Sequence, residues 1–301
     1  MPAPPDAEVI PIVIPNLGRS KLPNQAIAWY VSTVSLNLAL EGTVVLVTGG
    51  VRGVGAGISR VFLEAGATVI ACARRPGDAA IEVGDRSLEF APCDVRNPDS
   101  VRELIDGIVA RHGRLDTVVN NAGGSPFALA ADASANFHAK IVELNLLAPL
   151  LVSQAANAVM QQQPGGGSIV MVSSVSGRRP SPGTAAYGAA KAGIDSLVTS
   201  LAVEWAPKVR VNSIVVGLVQ TELSHLHYGS ADAIAAVAET IPMRRMAIPA
   251  DIGNCAAFLA SGLASYVTGS TVTVHGGGER PAFLGAVEQA ESNASHAPTS
   301  T

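Results

Sequence analysis

Residues Val44 to Arg75 read VVLVTGGVRGVGAGISRVFLEAGATVIACARR. An apolar, β-branched run stops at Thr48, glycines fall at 49, 50, 53 and 55, a helix-compatible stretch follows, and a second apolar run ends at Ala73. A strand that turns through glycines into a helix and returns as a strand is a crossover unit, which parallel strands require. The same alternation continues. Val118 to Asn120, Ile169 to Val172, Val209 to Ile214 and Thr271 to Val274 are short apolar runs, as is Leu88 to Ala91, and together with Val44 to Val47 and Val69 to Cys72 they make seven buried strands. Helices lie between them. The clearest starts with Asn97 as cap and Pro98 at its first position, then puts Val101, Leu104, Ile105, Ile108 and Val109 on one face. The predicted fold class is α/β: a single doubly wound parallel sheet, Rossmann-type, of about seven strands with helices on both faces.

The ends differ in composition from this core. Residues 1–37 form an N-terminal extension, proline-rich at first, with Pro2, Pro4, Pro5, Pro11, Pro15 and Pro23 breaking any continuous helix. It reads either as an arm that packs on a neighbouring subunit or as the product of a start codon set too early. The catalytic-type domain is expected over 38–282, and the small, polar residues 283–301 are expected to be disordered. Leu22 to Leu40 carries no charge, yet Pro23, Asn24, Gln25, Ser32, Thr33, Ser35 and Asn37 make it too polar to span a membrane. It also begins too far from Met1 for an ordinary signal peptide. With 48% hydrophobic residues the chain can bury a large core. A net charge of -4 and 4% aromatics offer nucleic acid neither a basic surface nor stacking platforms. Cys72, Cys93 and Cys255 are odd in number and form no C-x-x-C pair, which fits a reduced, cytoplasmic chain in which Cys72 and Cys93 pack as small hydrophobes. The Asn293-Ala294-Ser295 sequon has no meaning in that compartment.

Thr48-Gly49-Gly50-Val51-Arg52-Gly53-Val54-Gly55 lies between the first strand and the first helix. Glycines there let backbone approach a pyrophosphate, whose charge the free N–H groups of a helix start accept. In an NAD site an acid at the end of the second strand takes the ribose 2′-hydroxyl; this chain has Ala73 there, followed by Arg74 and Arg75. Guanidinium groups bind a 2′-phosphate through charge-assisted bonds, and Arg52 can converge on it from the loop, so the cofactor read from these residues is NADP(H).

Tyr187 and Lys191 are four residues apart, hence on one helical face, where an ammonium can stabilise a phenolate. Ser174 ends the strand-like run SIVMVSS, at the sheet edge where ligands bind, and can hydrogen-bond a carbonyl.

Thr48 to Gly55, Asp94, Asn120 to Gly123, Asn145, Ser174, Tyr187 and Lys191 together resemble the motif set of the short-chain dehydrogenase/reductase family, in its order and spacing. The resemblance covers about Leu38 to Gly278. It implies that Tyr187 is the general acid, that Lys191 lowers its pKa and binds the nicotinamide ribose, that Ser174 orients the carbonyl, and that Asn145 kinks a helix and holds a water of the proton relay. Along the cofactor it implies Gly49, Arg52, Gly53, Val54, Gly55, Arg74 and Arg75, then Asp94 at the adenine and Val95 beside it, Asn121, Ala122 and Gly123, Val219, and Thr221 at the carboxamide. Two positions depart from the family pattern: Val216-Gly217 replaces the common Pro-Gly, and His275-Gly276-Gly277 replaces Asp-Gly-Gly, with His275 read as a packed or interface residue. The stretch Leu223 to Ile241 falls where family members close over substrate; within it His225, His227 and Tyr228 are read as ordinary loop residues. Arg178 and Arg179 are read as solvated, with attraction of an anionic carrier as the alternative. No metal site is expected, because no ligand set stands at suitable spacing.

The resulting expectation is an NADPH-dependent enzyme of this family, related to its 3-oxoacyl reductases, that moves hydride between cofactor and a small-molecule ketone, 3-oxoacyl thioester or secondary alcohol. The alternative is a catalytically silent NADP(H)-binding regulator on the same fold. Partners are expected to be the carbonyl substrate and further copies of the chain, as homodimer or homotetramer, with no nucleic acid and no membrane.

Overall fold

The computed structural model describes residues 38–295; of these, the side chains of 226, 227, 288, 289 and 291–295 are not described. The expected roles of residues 1–37 and of the side chain of His227 lie outside the described residues. Among the described residues, seven strands form one parallel sheet: β1 (Val44–Thr48), β2 (Thr68–Ala73), β5 (Glu89–Pro92), β6 (Thr117–Asn120), β7 (Gly167–Ser174), β8 (Val209–Val216) and β9 (Thr271–Val274). A separate two-residue hairpin, β3 (Glu82–Val83) with β4 (Arg86–Ser87), sits between β2 and β5 in the chain. The spatial order β5-β2-β1-β6-β7-β8-β9 reverses direction between β1 and β6, which is where a doubly wound sheet opens its ligand crevice.

The inner strands β1 and β6 are buried at every position because both of their faces are covered, whereas the edge strands β5 and β9 keep exposed residues. One face packs on α2 (Pro98–His112), α4 (Ala148–Met160) and α5 (Ala185–Trp205) through Leu46, Ile70, Val118, Ile169 and Val211. The other packs on α1 (Gly53–Glu64) and α8 (Pro249–Ala260) through Val45, Val47, Val69, Val170 and Ile214. Alternation along β1 therefore sends Val45 and Val47 one way and Val44 and Leu46 the other. The predicted cap is in place: Asn97 Oδ1 accepts from Asp99 N at 2.9 Å and Ser100 N at 3.2 Å, opening α2.

The helix before β7 is not regular. α3 (Ala135–Val142) runs into α4 through a π segment at Glu143–Leu147. This continuous helix, Ala135–Met160, is long and apolar enough to cross a membrane by composition, but Val152, Ala156 and Met160 are buried against the sheet. After β8 come α6 (His225–Tyr228) and α7 (Ala231–Glu239), the segment expected to close over substrate.

The expectation for the tail needs correction. Residues expected to be disordered from 283 onward include a helix, α9 (Ala282–Ser295). Ala, Glu and Gln dominate AVEQAE, and these residues lose little on entering a helix, so low hydropathy did not mean absence of structure. Residues 296–301 lie outside the described residues.

Candidate active site

The sequence-predicted residues fall on loops and strand ends along one edge of the sheet. Gly49 to Gly55 follow β1, Arg74 and Arg75 follow β2, Asp94 and Val95 follow β5, Asn121 to Gly123 follow β6, Ser174 ends β7, and Val219 and Thr221 follow β8. Parallel strands all end on the same side, so sequence positions 170 residues apart share one crevice.

The glycine loop is tied down on three sides. Gly49 N donates to Cys72 O at 2.7 Å, and Ser59 Oγ donates to Gly50 O at 2.9 Å. Asn121 Nδ2 donates to Thr48 O and Gly49 O at 3.0 and 3.2 Å, while Thr48 Oγ1 accepts from Asn121 N and Ala122 N, each at 3.0 Å. Asn121 thus locks the end of β6 to the loop. A Cβ on Gly55 would overlap the Gly49 carbonyl, so only glycine lets the loop fold back on α1. The start of α1 has no side-chain cap of its own; Gly53, at φ +54, donates its N–H to Glu222 Oε1 at 2.9 Å instead.

The side chains of Arg52, Arg74 and Arg75 are exposed and make no hydrogen bond or ion pair among the described residues, although the charge of Arg74 is felt at Asp94. Asp94 is differently placed. Arg96 grips its carboxylate through Nε at 2.9 Å and Nη2 at 2.6 Å, and this hydrogen bonding holds the acid below the usual carboxylate range. Cys72 and Cys93 are buried free thiols, and their interaction lowers the pKa of the Cys93 thiol and raises that of Cys72.

At the other end Ser174, Tyr187 and Lys191 come together. Ser174, whose Oγ accepts from Ser176 N at 3.2 Å, stands near the Tyr187 hydroxyl, and Lys191 Nζ lies 5.6 Å from the tyrosine ring centroid. Burial raises the Tyr187 pKa, against a smaller lowering by Ser174. That differs from the expectation that Lys191 lowers it: here the ammonium is turned to the Val172 carbonyl, to which it donates at 2.7 Å. Burial also pushes Lys191 down to about 8, opposed by the charge of Asp195. Asn145 is fully buried at the π segment; its Nδ2 donates to Ile141 O and Gly124 O, both at 2.9 Å, and its Oδ1 accepts from Gly124 N at 2.8 Å. The side chain is thereby committed to fixing the turn after β6, and the predicted kink takes the form of a π turn.

Other expectations resolve locally. His275 packs on Gly217, where a Cβ would lie 2.7 Å from the histidine Cβ. Arg178 and Arg179 are ion-paired instead of merely solvated, to Asp195 at 3.2 Å and to Glu279 at 2.6 Å. Both arginines line a cavity of about 280 Å³ with Val175, Leu218, Ile241 and His275. Tyr187 and Ser174 are not among its walls. Among the described residues no three His, Cys, Asp or Glu side chains gather as a metal site. Sequence reading did not single out Glu222 or Asp195. Glu222 directly follows Thr221, and Asp195 stands four residues after Lys191, the one available signal for it.

A phenol beside a serine hydroxyl, a buried ammonium near it, and a glycine-cushioned helix start form an arrangement able to hold a dinucleotide and protonate a carbonyl. The comparisons agree with it. Residues 49–279 match the family model described as enoyl-(acyl carrier protein) reductase. The chain is a short-chain dehydrogenase/reductase. It is 33% identical over 245 residues to human dehydrogenase/reductase SDR family member 4, covering 79% of this chain and 88% of that protein. It is 37% identical over 245 residues to rabbit (Oryctolagus cuniculus) L-fucose dehydrogenase, covering 79% and 85%. The ligand-free aldohexose dehydrogenase of Thermoplasma acidophilum superposes with a TM-score of 0.73 at 29% identity, over 87% of this chain and 98% of that one. Family membership makes this short-chain dehydrogenase/reductase an oxidoreductase that uses a nicotinamide dinucleotide, NAD or NADP.

Proposed function

We propose that this short-chain dehydrogenase/reductase is NADP(H)-dependent and reduces a ketone or 3-oxoacyl group, or oxidises the matching secondary alcohol. The observation that carries the cofactor choice is the trio Arg52, Arg74 and Arg75: exposed, without side-chain ion-pair partners among the described residues, and set at the ends of β1 and β2 where a 2′-phosphate would lie. Other arginines nearby are committed, as Arg96 is to Asp94. The donor set fits the dinucleotide: the helix start at Val54 for the pyrophosphate, with Gly53 N–H joining it once released from Glu222, Asn121 to Gly123 and Thr221 along the nicotinamide half, Lys191 for its ribose.

The bound nicotinamide supplies the hydride; the chain's own residues handle the proton and the geometry. Ser174, fixed at the end of β7, donates to the substrate carbonyl oxygen and holds it toward Tyr187. Because burial raises its pKa, the Tyr187 phenol stays protonated at neutral pH and can give that proton to the developing alkoxide, which suits reduction. Lys191 Nζ, 5.6 Å from the tyrosine ring centroid, is the cation that would stabilise the phenolate left behind on turning from the Val172 carbonyl. Asn145 keeps the turn at Gly124 in shape beside them.

The test is NADPH oxidation across a carbonyl panel that includes aldoses, since two similar proteins are named for sugar substrates, together with 3-oxoacyl thioesters and cyclic ketones. Turnover with NADPH well above that with NADH is expected. No turnover of any member, with NADPH nonetheless bound, would favour the silent regulator.

A further inference from the structure

Lys191 carries a charge that almost nothing around it supports. Its ammonium is buried, at 3% exposure, and its hydrogen-bond acceptor is the neutral Val172 carbonyl. Among the described residues it makes no ion pair. The groups that face it can be enumerated by element. From α5 comes Tyr187, with Asp195 four residues on from Lys191 in the same helix; from β7 the Val172 carbonyl; from the turn after β6 the Gly123 backbone; from the π segment Asn145, which is neutral and already bonded. Asp195 alone among these carries negative charge, one helical turn along the same face.

Asp195 is itself held. Ser213 Oγ of β8 is 3.1 Å from its Oδ1 and 2.8 Å from Thr271 Oγ1 of β9, and Arg178 Nε donates to its Oδ2 at 3.2 Å. The carboxylate is therefore held by Ser213 of β8 and ion-paired to Arg178, one helical turn from Lys191, which makes no direct pair with it. We infer that Asp195 is a positioning residue of the reaction: it keeps the Lys191 ammonium charged, and Arg178 at the wall of the neighbouring cavity sets how much of that support Lys191 receives. The direction of the Lys191 titration agrees, since Asp195 opposes the effect of burial. This rests on the reading of Lys191 as part of the reducing site.

The experiment has two arms. In the first, NADPH oxidation with a carbonyl turned over by wild type is followed from pH 6 to 10 for wild type, Asp195→Asn and Arg178→Met. Asp195→Asn should shift the alkaline fall of kcat to lower pH, with roughly three- to tenfold loss at pH 8 that recovers near pH 6.5, as removal of one nearby opposite charge implies. Arg178→Met should shift it the other way. In the second arm, urea unfolding is measured against pH for Asp195→Asn, Lys191→Met and the double variant. Asp195→Asn should alter the pH dependence of stability only while Lys191 is present. A uniform loss of stability at every pH, identical in the Lys191→Met background, with the kinetic limb unmoved, would make Asp195 a brace between α5 and β8 and overturn the inference. Should wild type turn over no carbonyl, the reductase reading fails while the unfolding arm still decides the coupling.

Discussion

Tyr187 and Lys191 show burial and charge pulling in opposite directions on two neighbouring side chains. The phenol is held protonated because its anion is poorly solvated, and the ammonium is weakened because its cation is. Tyr187→Phe keeps the ring and removes the proton donor, so turnover should fall by roughly 10²-fold or more while NADPH still binds; near-normal turnover would remove the phenol from the mechanism. For Lys191 the consequence is also one of stability. With a native pKa of about 8, lower than the roughly 10.4 of an exposed lysine, the native state binds fewer protons than the unfolded chain between those values. Stability contributed by this site is therefore smallest below pH 8 and grows as pH rises toward 10. Lys191→Met should flatten that rise, and urea midpoints for the two proteins compared at pH 7.5, 9 and 10 should converge or cross. Parallel midpoints would mean that the lysine is not titrating in the native state.

At the scale of elements, the close approach of α1 to α8 depends on absent side chains. A Cβ on Gly57 would overlap Pro249, and one on Gly253 would come within 2.7 Å of Val61 Cγ2. Gly57→Ala should cost about 1–3 kcal/mol, the range for an extra methyl in a packed contact, measurable as a lowered urea midpoint with unchanged slope. At the end of β2, Arg74→Asp should place a carboxylate where the 2′-phosphate is proposed to lie; NADPH binding should weaken by about 1.5–3 kcal/mol and the preference over NADH vanish or invert in calorimetry. Equal wild-type affinity for NADPH and NADH would defeat the arginine reading. These elements were legible because their signals are local. All seven sheet strands show as apolar runs, and Asn97-Pro98 marks a helix start within two residues. The π segment at Glu143–Leu147 carried no such mark beyond Asn145, because what stabilises it is a pair of bonds to Gly124 across the crevice. Glu222 at the start of α1 was invisible for the same reason: 169 residues separate it from Gly53. Ion pairs of Arg178 and Arg179 likewise depend on partners that only the fold brings near.

For the whole molecule, the outer face of α5 matters most, because small side chains and one exposed valine line it. Buried positions Lys191, Ile194, Val198 and Leu201 turn that helix's inner face to the sheet. Its outer face carries Ala189, Ala192, Ser196, Thr199 and Val203, all exposed, with Val203 at 82%. A helix face made of small residues ending in an exposed valine allows a second helix to approach closely, and it wastes apolar area if left in water. We propose that two copies of this short-chain dehydrogenase/reductase pair across it, antiparallel by two-fold symmetry, so that Ala192 of each meets the same helix of the other. The pairing would also hold the helix bearing Tyr187 and Lys191 rigid from its outer side. Light scattering at micromolar concentration should give a mass of twice or four times 30.6 kDa. Ala192→Arg adds bulk and like charge on the two-fold axis while leaving the inner face untouched, and should reduce the mass by half or to that of one chain, with the far-ultraviolet circular dichroism unchanged. A wild-type mass equal to one chain, or an assembly indifferent to Ala192→Arg, would show that α5 faces solvent and that its small residues serve no contact between copies.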